Sequence, residues 1–325
     1  MRSTLLKALV AIAALACGAH ALAQNYPSRP ITIVVPAPPA GATDVLARVL
    51  AEEIGKNLKQ PIIVDNKPGA SGMLGASLVA RAQPDGYTIL LSHATPIYYA
   101  QYMFAKVPYD VRRDFAFITE ICSASLVLAV NKDVPARNMK EFVAWAQTNK
   151  GKVNYGSFGV GSSSHLLSAH LSESRKLDMT HVAYKGEAPM IQDMLGGQIP
   201  MSIGTLGTMA PHITAGSLRP LAVIGEKRLA ELPNVPTMAE AGLPDEEFKP
   251  IGGVLLTAPA KTPAPILARL EKEARAAVQT AAMKARFQAY GLVGMGNSSE
   301  AFRKNFEASG PVIQRLVQVS GAKVD

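Results

Sequence analysis

The sequence is poor in cysteine. It has 325 residues and two cysteines, Cys17 and Cys122, and the first lies in a segment that we predict to be removed on export. We therefore expect no intramolecular disulfide in the mature chain. The context of Cys122, ITEICSASLVLAV, is apolar and favours a buried thiol over a reactive one. Stability must then come from the core of the protein.

Charge is also sparse. Charged residues make up 18% of the chain and hydrophobic residues 48%, a composition typical of a globular protein with a sizeable core. The net charge is +8, but no run of lysine or arginine follows the spacing of a phosphate backbone. This excludes a typical nucleic-acid-binding protein, and the mild positive excess favours the attraction of anionic solutes.

Long apolar runs are absent, because no segment approaches the roughly 20 apolar residues that a membrane-spanning helix needs. At the amino end, a basic start is followed by a short apolar run, Ala8–Cys17, and by the small-x-small triplet Ala21-Leu22-Ala23. This order predicts a signal peptide over residues 1–23 and export to the periplasm. The alternative is a lipoprotein that is cleaved just before Cys17.

The sequence motifs of common enzymes are missing. A nucleophile elbow needs glycine two residues on either side of serine, but Ser157 follows Tyr155 and Ser71 precedes Met73. There is no Walker loop, and the dinucleotide fingerprint that begins at Gly159 fails at its last glycine. The histidines lack the spacing of zinc ligands. We therefore predict no catalysis, no cofactor and no metal.

What the sequence does contain is a repeated alternation of strands and helices. The first series runs from ITIVV (31–35) through an amphipathic helix, PIIVD (61–65) and a second helix to YTILLS (87–92). A second series starts at SLVLAV (125–130) and ends at LRPLAVIG (218–225). Such alternation predicts βαβ units and parallel strands. We predict an α/β protein of two lobes, with residues 24–124 and 246–325 in lobe 1 and residues 125–245 in lobe 2.

Three loops that precede predicted helices are candidates for the ligand site. They are PAGATD (39–44), KPGASG (67–72) and SFGVGSSS (157–164). Ligands of open α/β sheets bind at the carboxyl ends of strands, and the free N–H groups of a helix start favour an anion. Capping of the helices alone would also explain each loop. One such loop in each lobe, facing a common cleft, favours a binding site.

Several segments resemble a known family. VDNKPGASGMLGASLVARAQPDGYTILL, VNYGSFGVGSSSHL, VAYKGEAPMIQDMLGGQI and PNVPTMAEAGLP are similar to the Bug-type, or TctC-like, solute receptors of tripartite tricarboxylate transporters. The resemblance covers essentially the whole chain after residue 23. It implies a two-lobed periplasmic-binding-protein fold of type II with a central ligand cleft. It further implies a monomer that captures a small organic carboxylate and delivers it to integral-membrane transporter subunits.

The resemblance also implies which residues bind the ligand. In the family, loops matched here by residues 41–44 and 157–163 hold a carboxylate from opposite lobes. The positions assigned in this way are Ala42, Thr43, Asp44, Ser157, Gly161, Ser162 and Ser163, with Asp193 and Thr205 near the same cleft. No arginine lies in the three candidate loops, so amides, hydroxyls and helix starts would hold the anion.

Two other functions stay open from the sequence. One is a periplasmic α/β enzyme that acts on a small carboxylate, and the other is a sensor that reports its ligand to a signalling protein. The ligand itself also stays open among dicarboxylates, tricarboxylates, amino acids and aromatic acids. Tyr98, Tyr99 and Tyr102 are candidates either for the lining of the cleft or for buried packing.

Overall fold

The computed structural model of the protein describes residues 26–323. The predicted signal peptide and Cys17 lie outside the described residues, so both stay predictions. Within residues 26–323, no helix has the length and apolar character needed to cross a membrane. Cys122 is buried, and burial raises the pKa of its thiol to about 12, as expected of a structural cysteine.

The first of two sheets contains six strands among the described residues, in the order β11-β4-β10-β3-β1-β2. These strands are β1 (Ile31–Val35), β2 (Ile62–Asn66), β3 (Thr88–His93), β4 (Phe115–Ala124), β10 (Val254–Pro259) and β11 (Leu292–Gly294). β1 pairs in parallel with β2 and β3, as the βαβ pattern predicts. β10 runs antiparallel between β3 and β4, so the sheet is mixed.

The second sheet contains five strands in the described part of the chain, in the order β7-β6-β8-β5-β9. They are β5 (Leu126–Asn131), β6 (Asn154–Ser157), β7 (Thr180–Ala183), β8 (Met201–Thr205) and β9 (Leu218–Ile224). β6 pairs in parallel with β7 and β8, whereas β5 runs antiparallel to β8 and β9. The carboxyl ends of β6, β7 and β8 therefore lie on one edge of this sheet.

Eleven α-helices cover the two sheets within residues 26–323. They are α1 (Ala42–Leu58), α2 (Met73–Ala80), α3 (Ala100–Met103), α4 (Val111–Asp114), α5 (Met139–Thr148), α6 (Ser163–Ser174), α7 (Glu187–Leu195), α8 (Leu206–Thr214), α9 (Ala264–Val278), α10 (Ala281–Tyr290) and α11 (Ser299–Ser320). In α1, the apolar positions Leu46, Leu50 and Ile54 are fully buried against the first sheet.

The chain crosses between the sheets twice. Ser125 alone separates β4 from β5, and its N–H donates to the carbonyl of Gly291 while its own carbonyl accepts from Leu206. The return crossing is the long segment from β9 to β10. α11 then contacts both halves, since it packs against β4 and against α6. The exact boundaries of the two lobes stay a prediction.

The strand β4 was not predicted, and its burial explains why. Nearly all of its side chains are buried, so the sequence shows no alternation between polar and apolar residues. The helix α5 ends at Thr148. Asn149 ends it, because its side-chain amide donates to the carbonyl of Trp145 at 2.9 Å and satisfies a terminal acceptor.

Candidate ligand-binding site between the two sheets

A cavity of about 240 Å³ lies between the two sheets, beside the crossings. From the first sheet and its return crossing it is lined by Ala94, Thr95, Tyr99, Ala124, Glu247, Lys249, Pro250, Ile251, Gly252 and Gly253, with Leu316 from α11. From the second it is lined by Leu126, Phe158, Gly161, Ser162, Ser163, Leu166, Leu167 and Ile224. The loops that follow β3 and β6 thus meet here, each at the carboxyl end of its strand.

The loop between β6 and α6 is shaped by its own side chains. Gly159 and Gly161 adopt positive φ values of 151° and 75°, which glycine allows at little cost. Ser162 is the N-cap of α6: its hydroxyl donates to the carbonyl of Gly159 at 2.6 Å and accepts from the N–H of His165 at 3.3 Å. The Ser162 hydroxyl is therefore occupied within the protein.

Ser163, unlike Ser162, has a hydroxyl that is available to a ligand. Ser163 borders the cavity, and its hydroxyl forms no hydrogen bond with any residue of 26–323. The N–H groups of Ser163 and Ser164 likewise find no acceptor within that range, as expected in the first turn of a helix. Two amides and one hydroxyl at a helix start form a site that suits an anion.

Ser157, the last residue of β6, is fully buried behind this loop. Its Oγ lies 2.7 Å from Nε2 of His181 and 3.1 Å from the carbonyl oxygen of Gly159. The side chain therefore fixes the start of the loop and does not line the cavity.

The loop between β1 and α1 is shaped by Asp44, which is 2% exposed. Its carboxylate accepts from the N–H of Ala40 at 2.9 Å, from Arg48 Nε at 3.0 Å and from Asn66 Nδ2 at 2.9 Å. Burial alone would raise the pKa of Asp44, but these three donors together hold it below its usual value. Both oxygens of Asp44 are thus occupied by the protein.

Ala42 and Thr43 are the first two residues of α1, the helix that follows β1 of the first sheet. The N-cap of α1 is Gly41, and no side chain caps the helix. Within residues 26–323 the hydroxyl of Thr43 has no hydrogen-bond partner, so Thr43 does not serve as a cap of α1. Neither residue borders the 240 Å³ cavity. β1 adjoins β3, however, whose following loop supplies Ala94 and Thr95 to that cavity.

Asp193 and Thr205 belong to the second sheet and its helices, and neither borders the cavity. Asp193 accepts from the Tyr184 hydroxyl at 2.7 Å. Thr205 ends β8, and both its N–H and its hydroxyl donate to the carboxylate of Glu187 at 2.7 Å. Of the nine predicted site residues, Gly161, Ser162 and Ser163 border the cavity, and the other six do not.

Sequence reasoning assigned no ligand role to the return crossing or to Ala94 and Thr95, which follow β3. Residues 249–253 carry no motif, and only their position in the chain places them at the cavity. Of the three tyrosines left open, Tyr99 borders the cavity and donates to the carbonyl of Ile251 at 3.2 Å. Tyr98 is buried and donates to Glu120 at 2.7 Å, away from this cavity.

The charged groups near the cavity are paired with one another. Lys249 lies 2.7 Å from Glu246, and Glu247 lies 2.7 Å from Arg315. Asp245 is held by His170 at 2.9 Å and by Arg175 at 2.6 Å. His170, Asp245 and Glu247 lie close enough to share a metal ion, but the two arginines already neutralise both carboxylates.

Comparison with known proteins decides the family. Residues 46–316 match the family described as Tripartite tricarboxylate transporter family receptor. The chain belongs to this family. The receptor is 34% identical over 294 residues to the protein BugT of Bordetella pertussis, an alignment that covers 90% of either chain. Because the family is one of solute-binding receptors, the prediction of a protein that is not an enzyme is confirmed.

Solved structures show the same two-lobed fold, which confirms the predicted fold class. The receptor superposes on a ligand-free TctC solute-binding protein from Polaromonas with a TM-score of 0.82, at 28% identity over 90% of this chain and 99% of the other. The periplasmic binding protein BugD gives 0.70, at 32% identity over 92% and 99%. An adipate-bound R. palustris protein gives 0.74, at 29% identity over 92% and 100%. MatC of Rhodopseudomonas palustris with bound malate gives 0.69, at 28% over 90% and 100%.

Proposed function

We propose that this receptor binds a small organic carboxylate between its two lobes in the periplasm. The observation that carries the proposal is the start of α6, where Ser163 borders the cavity and where the amides of Ser163 and Ser164 and the hydroxyl of Ser163 have no acceptor within residues 26–323. A carboxylate would satisfy these donors. Two structural relatives with the same fold hold adipate and malate.

We further propose that the opposite lobe contributes the start of α1, through the amides of Ala42 and Thr43 and the hydroxyl of Thr43. Asp44, Ser157 and Ser162 would act by shaping the two loops, because their side chains are occupied. Asp193 and Thr205 would stabilise the part of the second sheet from which the loop between β6 and α6 extends. The ligand favours a closed form because only there can it contact both helix starts.

The closed, loaded receptor would then dock on the membrane subunits of a tripartite tricarboxylate-type transporter. The family description supports this partner. We propose that the receptor acts as a monomer, since each chain carries both halves of the site. No nucleic acid, cofactor or metal has a part in this function.

The test is a thermal-shift screen of the ligand-stripped protein against malate, adipate and citrate, each paired with its neutral amide. A ligand at 100 times its dissociation constant adds about 2.7 kcal/mol to the free energy of unfolding, so a binder raises the melting temperature measurably. We expect at least one carboxylate, and none of the amides, to do so without added metal. Stabilisation that requires a divalent cation, or stabilisation by amides as strong as by acids, would contradict the proposal.

A further inference from the structure

Two imidazoles lie stacked behind the loop between β6 and α6. The ring centroids of His165, in the first turn of α6, and His181, in β7, are 3.7 Å apart, with an angle of 10° between the planes. Tyr155 extends the stack at 5.2 Å from His181. His165 is buried, with 4% of its surface exposed, and His181 is half-buried. Neither borders the cavity between the sheets, so neither is placed to touch a ligand there.

Each ring is bonded to one end of the loop. The N–H of Gly161 donates to Nδ1 of His165 at 3.2 Å, and Nε2 of His181 lies 2.7 Å from Oγ of Ser157. Because a backbone N–H can only donate, Nδ1 of His165 carries no proton in this arrangement. The geometry of the loop thus depends on a neutral His165.

Protonation would break this arrangement in two ways. It would place an N–H on Nδ1 of His165 against the N–H of Gly161, and it would bring a positive charge next to His181. Burial lowers the pKa of both histidines. Burial, together with the repulsion that a protonated His181 would exert, lowers the pKa of His165 to about 4.

The surroundings do not favour a cation. An open depression of about 680 Å³ is bordered by both histidines. The titratable groups that border it from the neighbouring elements are Lys150, Tyr155, Glu173, Lys176 and Asp178, two bases and two acids besides the tyrosine. The end of α11 contributes Val319, Ser320 and Gly321, none of which titrates. The local charge is therefore balanced.

We propose that His165 and His181 are positioning residues for the ligand-binding loop, which hold Ser157 and Gly161 as a neutral stacked pair and release the loop, and with it the ligand, in acid. This inference rests on the proposed function of the loop. The role of the pair is to aim the start of α6 at the cleft, so its loss weakens binding without removing any group that contacts the ligand.

Two substitutions of His165 separate the roles of its ring. In His165→Asn, the side-chain oxygen replaces Nδ1 as the acceptor for Gly161 and does not titrate. In His165→Phe, the stacked ring remains but the acceptor is gone. The first readout needs no ligand: the amide chemical shift and hydrogen exchange of Gly161, followed by NMR from pH 7 to pH 3.5. We expect the wild type to show a midpoint near pH 4 that His165→Asn lacks, and His165→Phe to have a poorly protected amide at every pH.

The second readout is calorimetry with malate and adipate. At pH 7 we expect His165→Asn to bind within about threefold of the wild type and His165→Phe to bind about tenfold more weakly. Between pH 7 and pH 3.5 the wild type should lose about fourfold more affinity than His165→Asn, in proportion to its remaining neutral fraction. Titration of the ligand itself affects both proteins equally, so the comparison removes it.

The two readouts also distinguish a failure of the proposed carboxylate binding from a failure of the proposed positioning role. If the Gly161 amide titrates as expected but neither acid nor any other carboxylate binds, the proposed function fails and the positioning role of the pair stands. If carboxylates bind but the Gly161 amide is insensitive to pH, or His165→Phe binds as tightly as His165→Asn, the positioning role is overturned.

Discussion

Met103 in α3 occupies the space that a side chain on Gly161 would need. A Cβ on Gly161 would overlap the Cε of Met103, and Gly161 also has a φ of 75°. The two residues belong to different halves of the protein, since α3 follows β3 of the first sheet and Gly161 follows β6 of the second. The loop of the candidate site is therefore in direct contact with the opposite half.

Replacement of Gly161 should accordingly cost more than the backbone strain alone. Gly161→Ala should destabilise by about 1–2 kcal/mol for the left-handed conformation, plus the cost of displacing Met103. Gly197→Ala is the matched control, because Gly197 has the same φ of 75° but nothing lies within 4 Å of its Cβ position. Urea unfolding should show a larger loss for Gly161→Ala than for Gly197→Ala. Equal losses would mean that the contact with Met103 contributes nothing.

Asp44→Asn should lower the free energy of unfolding by about 1.5–3 kcal/mol at pH 7, because three donors then lose a charged acceptor. The pKa of Asp44 is lower in the folded state than its ordinary value of 3.8, so its contribution is complete above that value and disappears as the pH falls through the folded-state pKa. Stability curves of the wild type and Asp44→Asn should therefore converge below pH 3.8. Curves that stay parallel down to pH 2 would contradict this assignment.

Arg48→Met is a useful companion variant, because about half of the Arg48 side chain is exposed. We expect it to cost less than 1 kcal/mol, as for other exposed partners of ion pairs. If Arg48→Met costs as much as Asp44→Asn, the ion pair and not the hydrogen-bonded loop stabilises this region.

Thr43→Val should weaken carboxylate binding roughly 10- to 100-fold, which corresponds to one lost hydrogen bond to a charged group. Stability should change by less than about 0.5 kcal/mol, since the Thr43 hydroxyl has no partner within residues 26–323 and caps no helix. Thr43→Ser keeps the hydroxyl and should bind nearly as the wild type does. Calorimetry and thermal unfolding on both variants check this, and unchanged affinity in Thr43→Val would remove Thr43 from the site.

Most of the fold could be predicted from local patterns. The spacing of Leu46, Leu50 and Ile54 predicted α1, and the strand–helix alternation predicted the parallel pairs of β1, β2 and β3. The antiparallel strand β10 could not be predicted, because its partners β3 and β4 lie more than 100 residues away in the chain. Pairing over such distances is set by the packing of the whole sheet and leaves no local signature.

The candidate site could be predicted only at the level of loops. The run Gly161-Ser162-Ser163 indicated a helix start that suits an anion, and the structure places it at the cavity. The sequence could not show that the Ser162 hydroxyl caps α6 while the Ser163 hydroxyl has no partner within residues 26–323, because this difference depends only on the direction in which each side chain points. Nor could it show that His165 and His181, 16 residues apart, stack behind the loop.

The central claim is tested most directly by ligand affinity and stability measured together on Ser163→Ala and Ser162→Ala. We expect Ser163→Ala to lose at least tenfold in affinity for the best carboxylate while its melting temperature changes by less than a degree. Ser162→Ala should instead lose about 1 kcal/mol of stability, as an N-cap does, with a smaller loss of affinity. Wild-type affinity in Ser163→Ala would contradict the assignment of this helix start as the carboxylate site.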